Sequence, residues 1–217
     1  MEEICALVLI GNVADANRDR TGTASWLRDL SAELDETYST QRLAPFSSTQ
    51  GEELQGLLTP DADPLSAVLR AALGSRVHRM RWVAVRGPVD PGPGAASERT
   101  GRTMMAAREA QKQARLVHER FVLRTGDAAA DLLLSELTPV LADLLEGLTV
   151  RQREVARLAL LEGLRQSGVA ERLGVRRATV SVSFGRARVG SLARLASAIR
   201  RVYVEAGHDR RGGAVTE

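Results

Sequence analysis

Apolar residues recur along the chain with two different spacings, and the alternation between them marks out its elements. Residues 5–13 (CALVLIGNV) form a short, almost unbroken apolar run, the pattern of a strand buried on both faces. From Thr23 to Tyr38 the spacing becomes helical, with Trp26, Leu27, Leu30, Leu34 and Tyr38 on one side and acids on the other. Arg42–Ser48 and Glu52–Leu58 read as two strands around Thr49-Gln50-Gly51, a hairpin signal. Asp63-Pro64 predicts a helix running to Leu73, because Asp accepts from the free N–H groups of a first turn and proline has none to lose there. Met80–Val85 is a strand and Gly87–Gly94 (GPVDPGPG) a loop. A helix follows from near Ser97 to Arg115, then a strand over Val117–Leu123. Asp127 caps a leucine-rich segment in which Pro139 is expected to break or kink the helix.

The resulting order is β-α-β-β-α-β-α-β-α followed by helices only. Its first six elements have the ferredoxin-like or palm (βαββαβ) order, which places helices on one face of a sheet. The fold class expected is therefore α+β: a palm-like domain over 1–126, followed by an all-α helix-turn-helix domain over 147–205. A helical connector spans 127–146, and a disordered tail is expected over 206–217. The connector carries Leu132, Leu133, Leu134, Leu137, Val140, Leu141, Leu144 and Leu145, too many for one narrow stripe. Either a second copy of the chain or the helix-turn-helix of the same chain must cover the surplus.

Residues 148–188 read LTVRQREVARLALLEGLRQSGVAERLGVRRATVSVSFGRAR. Thr149 can cap a helix with Val155, Leu158 and Leu161 on one face. A second helix, Gln166–Leu173, carries Val169, Ala170 and Leu173. Gly174 then supplies the tight turn between crossing helices, and a third helix over Arg177–Arg188 points Val180 and Phe184 inward. A small residue at Ala170, a glycine four positions on and an apolar residue ten positions on make up the helix-turn-helix signature.

This segment resembles region 4 of bacterial sigma factors and the related response-regulator DNA-binding domains. The resemblance implies that the third helix enters the major groove of duplex DNA. It further implies that Arg176, Arg177, Thr179, Val182 and Ser183 face bases, while Arg186 and Arg188 meet phosphates. Arginine pairs bidentately with guanine, whereas phosphate contacts position without reading sequence. Two residues depart from the pattern. Val182 stands where a polar or basic side chain is usual, and Gly185 within the helix costs roughly 1 kcal/mol relative to alanine.

Charge sharpens this division. The formal net charge is +3, but residues 147–217 hold fourteen arginines against six acids, a net of +8, and the remainder is −5. One end of the chain is thus suited to a polyanion and the other is not. Lys112 is the sole lysine. GC-rich coding explains the preference for arginine, though not its location. Cys5 is the single cysteine, which excludes an intrachain disulfide and a Cys-rich zinc site. His78, His118 and His208 lack partners at metal or catalytic spacing, and no P-loop or dinucleotide loop is present. No apolar run approaches the roughly 18–20 residues that span a bilayer. The acidic start Met1-Glu2-Glu3 lacks the basic flank of a secretory signal. A cytoplasmic, nucleoid-associated protein without membrane contact is expected.

Three further blocks lie in order along the N-terminal part: Gly11-Asn12-Val13 at a strand end, Gly51-Glu52-Glu53-Leu54-Gln55-Gly56-Leu57-Leu58 in the hairpin, and Gly101-Arg102-Thr103-Met104-Met105-Ala106-Ala107-Arg108-Glu109-Ala110 on a helix. Together they resemble the SatD family, which joins a palm-like domain to a helix-turn-helix of this type. The hairpin is also similar to the palm domains of nucleotide and diguanylate cyclases, in which a strand-end acid and a hairpin acid hold divalent metal against a triphosphate. That chemistry needs paired carboxylates, because Mg²⁺ takes hard oxygen ligands and the reacting phosphates carry much charge. Here Glu52 keeps the hairpin acid, but Asn12 replaces the strand-end acid and brings no charge. Asp15 lies three residues on, and Ala16 and Asn17 stand where the family has Ser and Arg. Asn12, Glu52, Glu53 and Arg108 therefore read as a vestigial metal or nucleotide site, with no catalytic residue, no resident metal and no cofactor expected. Nucleotide or Mg²⁺ is the alternative ligand there. Arg108, Lys112 and Arg115 share a helix face, and Met104 and Met105 read as core.

The expectation is a transcriptional regulator that reads double-stranded DNA as a homodimer, with RNA polymerase as a further candidate partner. Its palm-like domain senses or dimerises. The alternative is a metal-dependent nucleotide cyclase-like enzyme with a DNA- or polymerase-binding tail.

Overall fold

β1 (Ile4–Val13) is the central strand, and its apolar run is explained by what covers it: Ala6 to Ile10 are fully buried. The computed structural model describes residues 3–14, 20–49, 52–74 and 79–212. Among them, five strands form one sheet in the order β2-β3-β1-β4-β5, with β2 at Arg42–Thr49, β3 at Glu53–Leu58, β4 at Met80–Val89 and β5 at Phe121–Arg124. β1 runs antiparallel to β3 and β4, β2 antiparallel to β3, and β5 parallel to β4. With α1 (Arg20–Thr37) and α2 (Pro64–Leu73) this is the expected βαββαβ unit in an α+β molecule.

Side chains alternate across the sheet, so each strand feeds two cores. Leu7, Leu9, Leu54, Leu58, Trp82 and Phe121 face α1 and α2, burying Trp26, Leu27, Leu30 and Leu34 as their spacing predicts. Val8, Ile10, Leu57, Val83 and Val85 face the other way, beneath Met104, Ala107, Ala110 and Ala114 of α3 (Arg102–Leu116). α2 and α3 link parallel strands in the same direction across the sheet but lie on opposite faces. The two crossovers therefore have opposite hands, and one of them is of the uncommon left-handed kind. The face that α3 would otherwise cover is occupied by α4 (Ala128–Glu146) and α8 (Val189–Gly212), whose Leu134, Leu141, Leu192, Ile199 and Tyr203 join the same core as α1 and α2.

Several boundaries differ from the sequence reading for local reasons. β4 continues to Val89 through Gly87 and Pro88, because β1 pairs with it there. Beyond Val85 it has no second neighbour, and an edge strand tolerates proline. Val117 caps α3 rather than starting a strand, and His118 turns the chain at φ 59°. Met105 is 71% exposed, so of the two methionines only Met104 is core. Pro139 does not break α4. The N–H it lacks would have reached Ser135, which is exposed and leaves its carbonyl to solvent, while Thr138 Oγ1 donates to the Leu134 carbonyl at 2.9 Å. Residues 206–212, expected as tail, continue α8, and Ala206 is buried. Residues 213–217 lie outside the described residues.

α8 is fastened to the sheet by its polar groups as well. Arg86, buried on β4, donates to the Tyr203 carbonyl at 3.0 Å and lies 4.6 Å from the centre of its ring. Tyr203 Oη donates to the Pro60 carbonyl at 2.8 Å. Arg200 pairs at 2.9 Å with Asp63, the residue that caps α2 by accepting from Leu65 N. The remaining helices, α5 (Val150–Leu160), α6 (Gln166–Arg172) and α7 (Arg177–Arg186), close a small core of their own from Val155, Leu158, Val169, Ala170 and Val180.

Candidate nucleic-acid interface

Thr149 caps α5 as expected and does so reciprocally: its hydroxyl accepts from Gln152 N while the Gln152 side chain accepts from Thr149 N. Leu161 departs from the expected face. It packs on the sheet-side core rather than with Val155 and Leu158, because α5 ends at Leu160. Between α6 and α7, Gly174 takes φ +63°, a backbone conformation that a Cβ would strain, and Val175 N then donates to the Ala170 carbonyl at 3.0 Å. This turn sets α7 across α6, with Val180 buried and Phe184 packed against both the sheet core and the small core of α5 to α7.

The face of α7 opposite Val180 is solvent-exposed. Arg176, Arg177, Thr179, Val182, Arg186 and Arg188 are all exposed, while Ser183 is half-buried on the flank. Ala178, absent from the residues named from the sequence, and Gly185, noted there only for its cost to the helix, share this outer face with Val182. Their spacing of four and three residues was the available signal. The outward ridge is therefore small and weakly polar, with arginines at both ends. Arg188 holds φ 49° where α7 hands over to α8.

Pairing separates the arginines of this region into two groups. Arg151, Arg157, Arg172 and Arg200 each bind an acid: Glu154, Glu162 (shared by two) and Asp63. Arg153, Arg165, Arg176, Arg177, Arg186, Arg188, Arg194 and Arg201 have no acidic partner among the described residues, and four of these, Arg176, Arg177, Arg186 and Arg188, lie on or beside α7. Their charge is available to an external anion.

At the palm-like end, strand register revises the expected pair. The residue opposite Asn12 on β3 is Glu53, not Glu52. Glu52 lies in the turn before β3, and its carbonyl accepts from Val13 N at 2.9 Å. Glu53 in turn accepts from Gln55 Nε2 at 2.5 Å and from Gln111 Nε2 of α3 at 3.1 Å. Opposite Asn12 on β4 stands buried Arg81, whose Nε donates to the Glu119 carbonyl at 2.9 Å. Burial foremost, then Arg120 and Arg115, hold its guanidinium pKa below the usual arginine value. Arg108 is exposed on α3, and Gln111, one turn on, reaches the carboxylate instead. Lys112 pairs loosely with Glu109 at 3.7 Å. Gly51, Asp15, Ala16 and Asn17 lie outside the described residues. Among the described residues no group of three His, Cys, Asp or Glu side chains is placed to hold a metal.

No protein-family model matches the chain, and no curated protein matches it. Among solved structures it is similar to a bacterial light-regulated adenylyl cyclase at 7% identity and TM-score 0.43, over 57% of this chain and 77% of that one. A second structure of such a cyclase gives 8% identity and TM-score 0.41, over 57% and 44%. A regulator of polyketide synthase expression from Bifidobacterium adolescentis gives 18% identity and TM-score 0.26, over 93% and 86%. Likenesses this slight decide neither activity nor partner. Among the described residues no helix is long and apolar enough to cross a membrane.

Proposed function

We propose that this chain is a DNA-binding transcriptional regulator of the SatD type, reading duplex DNA with α7. The observation that carries the reading is the set of four exposed arginines without an acidic partner on and beside α7, whereas Arg151, Arg157 and Arg172 of the preceding helices are neutralised by acids. Arg177 and Thr179 in the first turn are the base-reading candidates, and Arg186 and Arg188 hold phosphates. The small ridge of Ala178, Val182 and Gly185 favours close approach and apolar contact with thymine methyl groups over hydrogen-bonded readout. Anisotropy titrations on fragments of the source chromosome test this. Affinity is expected to fall with salt at a log–log slope of roughly 0.9 per phosphate neutralised. Arg177→Ala is expected to cost on the order of 1–3 kcal/mol and to relax sequence preference, and Arg188→Ala to weaken all sequences alike. Unchanged binding by the double variant Arg176→Ala, Arg177→Ala would sink the assignment of α7.

In this reading the palm-like domain is not a cyclase. Asn12 supplies no charge, and the acid beside it is occupied by two glutamine amides. A second copy of the chain completes the regulator, seated on the exposed row of α4 formed by Leu133 and Val140 beside half-buried Leu137 and Leu144. Two modules on one duplex offset the small interface of a single helix-turn-helix.

A further inference from the structure

On the sheet face opposite Asn12 and Glu53, a cavity of about 60 Å³ lies where β4 and β5 meet α2, α4 and α5. Its walls include Met80, Trp82, Phe121 and Leu145. Gly11 makes this floor, since a Cβ there would stand 2.6 Å from both the Met80 methyl and the Trp82 ring. The charged residues lining it are Arg79, Arg120, Arg153 and Glu146. Arg120 Nε binds Glu146 at 3.0 Å and so uses the one acid. Arg79 and Arg153 keep their charge without an acidic partner among the described residues, and Arg153 Nε is buried with no hydrogen-bond partner.

A buried, unsatisfied N–H on a cation is costly in an apolar setting, and an anion entering the cavity would satisfy it. A single carboxylate offsets one of the two surplus charges, and its carrier must bring an apolar body to suit the aromatic walls. Size limits that body. The cavity exceeds the roughly 10–15 Å³ that one water needs and falls short of the about 150 Å³ cavity that takes benzene. We propose that this cavity binds a short aliphatic monocarboxylate, its carboxylate on Arg153 and Arg79 and its chain against Trp82 and Phe121. Because Arg153 stands on α5, whose Val155 and Leu158 support Val180 of α7, the bound acid ties the reading head to the sheet and alters DNA affinity. This second, regulatory half rests on the DNA-binding reading. The first half does not.

Titrating the full chain with isovalerate while following tryptophan emission tests the site, since Trp82 lines it. Saturable change is expected, with isovaleramide, which has the same body without the charge, failing to produce it. Arg153→Gln is expected to weaken binding at least about tenfold with its circular dichroism unchanged, and exposed Arg79→Gln to weaken it less. No saturable change with folded wild type up to about 10 mM isovalerate, or equal binding of isovaleramide, would overturn the site. DNA titrations with and without saturating isovalerate then test the coupling: a shift in wild type that Arg153→Gln abolishes supports it. Bound isovalerate with unaltered DNA affinity overturns the coupling alone. Absence of DNA binding altogether overturns the proposed function, and leaves the emission titration to judge the site by itself.

Discussion

Around Gly185 no atom beyond its chain neighbours and its own helix backbone lies within 4 Å of the point that a Cβ would take, so neither packing nor backbone sign requires glycine there. Alanine is expected to stabilise α7 by roughly 0.5–1 kcal/mol, because glycine loses more freedom on folding. If α7 lies in a groove, the same methyl enters the interface. Gly185→Ala is thus expected to raise Tm slightly while lowering DNA affinity, and a rise in both would place Gly185 away from DNA. Asn12 bears on the other end of the molecule. Wild type is expected to leave ATP and GTP unconsumed in the presence of Mg²⁺, since Asn12 and the Glu53 opposite it bring one carboxylate between them. Cyclic or oligomeric nucleotide made by wild type and lost in Glu53→Gln would refute that. The sequence alone placed an acid of the hairpin near residue 12 but chose Glu52. The choice between adjacent glutamates is a matter of strand register, and a shift of one residue reverses the face.

Side-chain-capped helix starts proved the most legible, because a cap depends on residues two or three positions away, whereas the helix expected from near Ser97 starts at Arg102 after a short 3-10 turn over Ala96–Glu98. Asp63, Asp127 and Thr149 cap α2, α4 and α5 where their chemistry places them. The docking of α8 had no such local signal: Tyr203 meets Pro60 and Arg86, far away in the chain. Burial holds the Tyr203 and Tyr38 phenols protonated well above the ordinary tyrosine range, with Asp63 adding to the effect at Tyr38. In the unfolded chain both ionise near about pH 10. Above that pH the unfolded state binds fewer protons than the fold, so stability falls as pH rises. Tm is expected to drop steeply from about pH 10 upward, each tyrosine contributing up to about 1.4 kcal/mol per pH unit. Tyr203→Phe is expected to flatten that slope by one proton while costing about 1 kcal/mol at all pH through the lost bond to Pro60. An unchanged slope in both Tyr203→Phe and Tyr38→Phe would show that the phenols titrate normally.

At the scale of the whole molecule, α4 divides the surplus leucines noted in the sequence. Leu134, Leu141 and Leu145 enter the core, whereas Leu133 and Val140 remain 53% and 51% exposed. The helix-turn-helix of the same chain does not cover them, so the proposed second copy falls on this row. Light scattering at micromolar concentration is expected to give twice the chain mass, and Leu133→Glu with Val140→Glu to give one chain mass with folding intact. A wild-type mass of one chain would end the dimer. These two positions suit the test better than Leu137, which packs partly on the core and would confound assembly with stability.

What the sequence by itself determined is whatever rests on residues close to one another along the chain. This covers the order of strands and helices, three helix caps, the turn at Gly174, the buried Val155–Val169–Val180 core and the concentration of arginine at one end. Helical and strand periodicity, capping and turn conformation are local physics, and one chain suffices to read them. Only the tertiary structure decided that α3 lies opposite α1 and α2, that Glu53 faces Asn12, and that α4 and α8 share the core of the sheet. It also decided which arginines keep their charge. Those outcomes turn on pairings between distant segments, where burial against one face or the other settles the arrangement and no short-range pattern distinguishes the faces.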